Sequence, residues 1–317
     1  MDCVVCGIPA DVLYTGLGDK LHPEVPGSYA LKKCSDCGLI YIDPQPTEEE
    51  LAEHYPAEYG VYRKSPSPPS RLKMWAIKAV AKNYFGYSKR PGVLGRIVSL
   101  PLLYKVSHLP RFKANGRLLD VGCGTGTRLV VFRELGWEVE GLEMSKEAAK
   151  TASGLGCKVY SGRFEDVNLP SDYYDVVYMN NVFEHFSRPR FCLERIACVL
   201  KEGGELVMVV PNSASLGFRM FKENWLGLDV PRHLYTYSSR NLAHLIERYG
   251  FRVETILSTN TFTSFASGLA LRMGRPAGWL SGFQKIAWIL DLCIDPVLGS
   301  WGLGDWITVR AIVEKRA

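Results

Sequence analysis

The sequence predicts an α/β protein: a seven-stranded, largely parallel sheet flanked by helices, preceded by a small cysteine-bearing module. Three observations predict it. From Arg117 onward, apolar strand-like runs alternate with helical patterns, as crossover connections between parallel strands require. The turn "DVGCGTGT" (120–127) joins the first of these strands to a helix and carries glycines at alternate positions. Two CxxC pairs, Cys3/Cys6 and Cys34/Cys37, lie within the first 45 residues.

Residues 1–45 are rich in turns, and 27 residues separate the two cysteine pairs. Each CxxC makes a tight knuckle, with Gly7 and Gly38 following where a positive φ is needed. Four cysteines suit a tetrahedral Zn2+ site and leave no position for water, so the expected metal is structural. A redox pair is the alternative, but the thioredoxin-like context for it is missing. Cys123, Cys157, Cys192, Cys198 and Cys293 are scattered through apparent core elements, a free-thiol pattern suited to a reducing compartment. The opening residues have no basic stretch followed by an apolar one, and no run of about 18 apolar residues occurs. The expected location is therefore cytoplasmic.

Residues 46–115 read as a basic, proline-interrupted helical connector. Thr47 and Glu50 form a capping box. "KSPSPPS" (64–70) reads as a partly extended linker. "RLKMWAIKAVAKNYF" places Leu72, Trp75, Ala76, Ala79 and Val80 on one helical face and lysines on another. Pro91, Pro101 and Pro110 divide the rest into short units. Between Glu58 and Asp120 there is no acidic residue, while thirteen Lys or Arg occur from Arg63 to Arg117. The whole chain is only +5, so a basic block sits on an otherwise acidic protein and points to an anionic partner or surface. Nucleic acid is not expected, because no RNA-binding motif or stacking platform is recognisable. Residues 63–117, with aromatics among the lysines, and the apolar stretch 278–304 suit peripheral contact with an anionic membrane. The competing expectation is that these two segments pack together as a lid or a dimer interface.

Residues 116–317 supply the sheet. The expected strands are "RLLDVG", "EVEGLEM", "CKVYSG", "YDVVYMN", "GELVMVVPN", "FRVETILS" and "WITVRAIVEK", with helices such as "SRPRFCLERIACVLKE" and "SSRNLAHLIERYG" between most of them. Two inserts interrupt the alternation, 213–235 and 261–305.

Gly122, Gly124 and Gly126 let backbone approach a ligand. Alone, the turn fits NAD, FAD or S-adenosylmethionine, or a tight connection with no ligand. A dinucleotide turn wants glycine where Thr127 stands. Glu143, ending the next strand, can accept hydrogen bonds from ribose hydroxyls.

Taken in order, "LLDVGCGTG", "VEGLEMS" and "FEDVNLPSDYYDVVYMNNVFEH" resemble the motifs of class I S-adenosylmethionine-dependent methyltransferases. The resemblance implies a Rossmann-like methyltransferase sheet and S-adenosyl-L-methionine as cofactor. It implies that Asp120 and the backbone of Gly122, Gly124 and Gly126 hold the methionine part. Glu143 would bind the ribose and Met144 would pack on the adenine. Phe164 and Glu165 would flank the adenine edge, and Asn180 would lie beneath the cofactor.

The insert after the fifth strand is similar to that of a bacterial methyltransferase group. Its marks are Trp225, then Pro231-Arg232-His233-Leu234, then a helix capped by Ser238 and ended by Gly250-Phe251. "CSDCGLIYIDPQPTEEELAEHY" resembles a zinc-binding extension on some bacterial sugar and small-molecule methyltransferases. These likenesses imply a sugar, nucleotide-sugar or lipid-linked glycan acceptor, with O-methylation ahead of C-methylation. His233 is the first candidate for the base that takes the acceptor proton, and His185 is the second. For each, the alternative is a histidine that locks local structure. An RNA methyltransferase and a non-catalytic cofactor-binding regulator are the other functional readings.

Overall fold

A computed structural model describes residues 2–55, 69–88, 92–259, 262–279 and 294–314, together with 282 and 292. The linker 64–68, Pro91, Cys293 and most of 280–293 lie outside the described residues.

Three short strands open the chain: β1 (Ala10–Leu17), β2 (Tyr29–Cys34) and β3 (Ile40–Ile42). Helix α1 (Glu48–Glu53) follows, with Thr47 and Glu50 making the expected capping box. Helices α2 (Arg71–Tyr84) and α3 (Val93–Leu103) form the connector. The main sheet then comprises β4 (Arg117–Val121), β5 (Glu138–Glu143), β6 (Lys158–Ser161), β7 (Tyr174–Asn180) and β8 (Leu200–Pro211). Its crossover helices are α4 (Thr127–Glu134), α5 (Lys146–Ser153) and α6 (Pro189–Val199). After β8 come α7 (Leu216–Phe221), the two-residue strand β9 (Tyr235–Thr236) and α8 (Ser239–Arg248). Strand β10 (Phe251–Thr259), α9 (Phe262–Arg272) and β11 (Trp306–Val313) complete the order.

The seven main strands take the order β10-β11-β8-β7-β4-β5-β6. All are parallel except β11, which runs antiparallel to both neighbours. Each of the seven expected strands is present. Strand β8 begins earlier than expected, at Leu200, because a register shift absorbs the glycine pair Gly203-Gly204 between its first pairing and the rest. Alternate residues of the central strands enter two cores. Leu119, Val177, Met179 and Leu206 pack on the side of α6 and α8. Leu118, Val176, Tyr178 and Val207 meet Ile77, Val80 and Phe85 from the α2 side. Covering both faces explains why these strands read as continuous apolar runs.

Two expectations for the connector change. The buried residues of α2 are Ile77, Val80 and Ala81, so Leu72 and Trp75 point away from the core. Helix α3 also continues through Pro101 to Leu103. Proline removes one backbone donor here, next to an exposed segment where water can take the freed carbonyl.

The N-terminal module is joined to the acceptor-side insert by backbone. A second sheet has the order β1-β2-β3-β9, pairing Ile40 with Thr236 and Tyr41 with Tyr235. The Ile42 N–H also donates to the Leu234 carbonyl at 3.1 Å. A strand of two residues carries no periodic signal, so sequence reasoning had no means of finding this pairing.

Candidate functional site

The expected cofactor residues gather at the carboxyl ends of β4, β5 and β7, where open α/β sheets bind ligands. Gly122, Gly124 and Gly126 all have positive φ, at 71°, 55° and 88°. A Cβ on Gly122 would lie 2.4 Å from the Val182 side chain, so the turn is closed to larger residues for steric as well as torsional reasons. Glu143 is buried and organises the turn. Its carboxylate accepts from the Gly124 N–H at 2.8 Å and the Ser145 N–H at 2.9 Å. Met144 is exposed beside it, and Phe164 is buried edge-on to Phe186. Glu165 is largely buried, 3.8 Å from Arg163. Asn180 accepts from Arg128 at 2.6 Å and donates to the Tyr178 hydroxyl at 3.1 Å.

Asp120 is the electrostatic centre of this region. It is fully buried, and neither carboxylate oxygen has a hydrogen-bond partner. Burial pushes its carboxyl up to about 7; Arg128 pulls the other way, and Glu143 adds to the rise. A buried carboxylate with both oxygens unpaired suits a cationic group supplied by a ligand.

Glu184, His185 and His233 form a second cluster. Glu184 and His185 lie in the 3-10 turn Phe183–His185 after β7, and His233 lies just before β9. The imidazole rings are 4.8 Å apart at 78°. His233 Nδ1 donates to the Gly227 carbonyl and His185 Nδ1 to the Arg232 carbonyl, both at 2.9 Å. Carbonyls only accept, so both rings carry the proton on Nδ1 and present Nε2 as a lone pair. The Tyr55 hydroxyl lies 3.0 Å from His185 Nδ1. His233 Nε2 is 3.7 Å from the Glu184 carboxylate and 3.8 Å from that of Asp229. Neither Glu184 oxygen has a hydrogen-bond partner. Burial lifts the Glu184 carboxyl to about 8 and pushes His185 down to about 3; it lowers His233 as well. The three ligand atoms lie within 4.8 Å of one another, so the cluster is also close enough to share a proton or an ion.

Between this cluster and the N-terminal module runs a buried charge network. Arg232 donates to Asp19 through Nη1 and Nη2 at 2.6 and 2.9 Å, and to Asp229 through Nε and Nη2 at 3.0 and 2.6 Å. Asp19 also accepts from the N–H groups of Leu21 and His22 and meets His54 Nδ1 at 2.8 Å. Asp229 further lines a groove with Leu17, Lys20, Trp225, Leu226 and Leu271.

The four N-terminal sulfurs converge, Cys3 to Cys37 at 3.5 Å and Cys6 to Cys34 at 3.4 Å. Tetrahedral Zn–S bonds of about 2.3 Å require S···S separations of about 3.8 Å, so the donor set fits with little adjustment. Gly7 and Gly38 close the knuckles with positive φ and N–H bonds to the Cys3 and Cys34 carbonyls.

Residues 97–256, just over half of the chain, match a family described as "Methyltransferase domain". The chain belongs to the methyltransferase family. It is an S-adenosylmethionine-dependent enzyme of the class I type. The methyltransferase is 27% identical over 153 residues to the protein MJ1123 of Methanocaldococcus jannaschii, covering 48% of this chain and 73% of that one. It is 29% identical over 180 residues to the mitochondrial ubiquinone biosynthesis O-methyltransferase of Mus musculus, covering 50% of this chain and 48% of that one. The chain thus spans about half the length of that relative. The solved structure of the YcgJ protein of Bacillus subtilis aligns with a TM-score of 0.46 at 21% identity, covering 69% of this chain and all of that one.

The methyltransferase contains site residues that sequence reasoning passed over. Glu184, beside His185, lies inside a recognised motif, but its burial was not visible there, and the half-buried Arg128 stands two residues past the glycine turn. Asp229 stands three residues before Arg232, a spacing that could have suggested an ion pair. Asp19 lies 213 residues away in sequence and gave no signal.

Proposed function

We propose that this methyltransferase methylates a hydroxyl of a sugar, nucleotide-sugar or lipid-linked glycan. The observation that carries the reading is the buried Glu184–His185–His233 cluster on the face that carries the glycine turn. Bound S-adenosylmethionine supplies a methyl already activated on a sulfonium. The chain must therefore bind, align, exclude water and take a proton. Asp120 binds the cofactor's ammonium group, while Glu143 accepts from the ribose hydroxyls. Met144, Phe164 and Glu165 enclose the adenine, and Asn180 lies beneath the cofactor. The acceptor enters along the groove that includes Asp229.

His233 Nε2 takes the hydroxyl proton, and Glu184 compensates the imidazolium charge across 3.7 Å. The two groups titrate as a pair. The competent form has lost the proton that burial holds on Glu184 up to about 8. Turnover should therefore rise about tenfold per pH unit below that value and level above it. The mouse relative's name, an O-methyltransferase, supports oxygen as the methylated atom. The resemblance of the cysteine extension and the Pro231–Leu234 segment supports the sugar or glycan class.

The test is transfer of labelled methyl to acceptors in a nuclease-treated metabolite and lipid extract. Wild type should label a glycan or sugar nucleotide. Separate His233→Ala and Glu184→Gln variants should lower kcat about 100- to 1000-fold with cofactor affinity retained. If neither change, nor His185→Ala, alters kcat, the cluster has no part in the chemistry.

In the N-terminal module, Cys3, Cys6, Cys34 and Cys37 hold one structural zinc ion. Metal analysis of freshly purified protein should find about one zinc per chain. Cys34→Ser should lose it and melt at lower temperature, since knuckle and sheet form together. Metal-free wild type with unchanged melting would overturn this assignment.

A further inference from the structure

We propose that the α2–α3 hairpin docks this protein on the anionic surface of a lipid bilayer. Helix α2 buries Ile77, Val80 and Ala81 against the core, but α3 is built with its polarity reversed. Between its helices lie polar contacts. Asn83 Nδ2 donates to Ser99 Oγ at 3.2 Å, Tyr84 donates to the Arg96 carbonyl at 2.6 Å, and Arg96 Nε donates to the Asn83 carbonyl at 3.2 Å. The apolar residues in the first part of α3 face out. Val93, Leu94, Ile97 and Val98 make one stripe on α3 by their helical spacing, each more than 60% exposed. Ser99 is the one residue of α3 that is buried. Leu72 and Trp75 are similarly exposed on α2. A helix packed against a protein core in water shows the opposite arrangement.

The surface continues beyond the hairpin. Gly299, in the helical stretch 294–300, lies against the Tyr104 ring just after α3, and Lys105 pairs with Asp295 at 2.8 Å. Trp301, at the end of that stretch, is 70% exposed. Tryptophans at the margin of an apolar patch suit the headgroup level of a bilayer.

Charge selects the occupant. The hairpin falls wholly within the interval between Glu58 and Asp120, which has thirteen Lys or Arg and no acidic residue. A second copy of the chain docked on this face would bring two such segments together and repel. Lys78, Lys105 and Lys113 already pair with carboxylates of the main domain, and an anionic leaflet supplies what the rest of the surface asks for, an apolar layer for Leu94 and Ile97 and negative charge for Lys73 and Lys82 of α2. Among the described residues no helix is long and apolar enough to cross a membrane, so the contact is with one leaflet.

Vesicle flotation of the full chain tests this without any methyl transfer, so its outcome is independent of the acceptor reading. Vesicles of phosphatidylcholine alone are compared with vesicles containing about 30% phosphatidylglycerol. The chain should float with the anionic vesicles, and about 0.5 M salt should release most of it. Leu94→Asp and Ile97→Asp change exposed positions and should each weaken binding at least about tenfold with melting unchanged. Four results would overturn the proposal: no flotation, flotation indifferent to both variants, equal binding to neutral vesicles, or a wild-type dimer that Leu94→Asp makes monomeric.

Discussion

Asp120→Asn is expected to weaken S-adenosylmethionine binding about 100-fold and, at the same time, to raise the melting temperature of the free protein. Both effects come from one observation: a fully buried carboxylate with no hydrogen-bond partner. In the proposed complex it would meet the ammonium group, and a hydrogen bond between charged groups contributes about 1.5–3 kcal/mol. In the free protein the same charge is a liability. Burial holds the folded carboxyl at about 7, whereas an unfolded chain releases that proton near pH ~3.9. Between those values the folded state binds more protons, so stability falls as pH rises from about 4 to about 7 and is level above. The difference amounts to as much as about 4 kcal/mol at pH 8. Asn removes it by being neutral throughout. The two variants should therefore melt alike near pH 4 and diverge upward, with Asn the more stable. Cofactor affinity of the wild type should increase toward pH 7–8 as the carboxylate forms, and the Asn variant should lack that dependence. Calorimetric titration and thermal melts over this pH range measure both. An Asn variant that binds the cofactor as tightly as wild type would remove Asp120 from the site.

The contrast between Asp120 and Asp19 shows where the sequence was legible. Asp120 was found because it ends a strand before a glycine turn, and both features are local. Of the seven main strands, β4, β7, β8 and β11 were found for the same reason: buried on two faces, they read as apolar runs with helical patterns between them. Glu143 was named from its position at a strand end, and Asn180 from the family resemblance of its motif. The face of α2 was misread because its apolar residues occur on two sides, and only packing distinguishes Ile77 from Trp75. His233 was named from a short motif, but its environment was invisible. The Gly227 carbonyl, six residues upstream, fixes its tautomer, and Glu184, from the turn after β7, stands opposite its free nitrogen. Strand β9 and the Asp19–Arg232 pair join segments some two hundred residues apart, and no local pattern encodes such contacts.

That pairing leads to the second large effect. Arg232→Met should destabilise the protein by about 3–5 kcal/mol and abolish acceptor turnover, while S-adenosylmethionine affinity stays within about threefold. The cost arises from what remains. Asp19 and Asp229 would keep their buried charges without the guanidinium that both now grip. Arg232 shares its backbone with His233, and its carbonyl accepts from His185, so releasing it frees both imidazoles. The cofactor turn is built on β4 and β5, away from this latch, and should be spared. Asp19→Asn provides the gentler arm and a pH signature. Burial opposes ionisation of Asp19, but Arg232, backbone N–H groups and His54 outweigh it and hold the carboxyl down to about 2. For a carboxyl lowered in this way, the stabilisation is complete above about pH 4 and is lost as pH falls toward 2. Wild type should thus lead Asp19→Asn by about 2–3 kcal/mol at neutral pH, with the two curves converging in acid. The network would also give the proposed zinc module a purpose in the reaction. Asp19 and β3 are the means by which an ion bound at Cys3, Cys6, Cys34 and Cys37 would stiffen the loop that holds His233. If Arg232→Met keeps full turnover on the acceptor, the N-terminal module is a passenger and the imidazoles are positioned by the main domain alone.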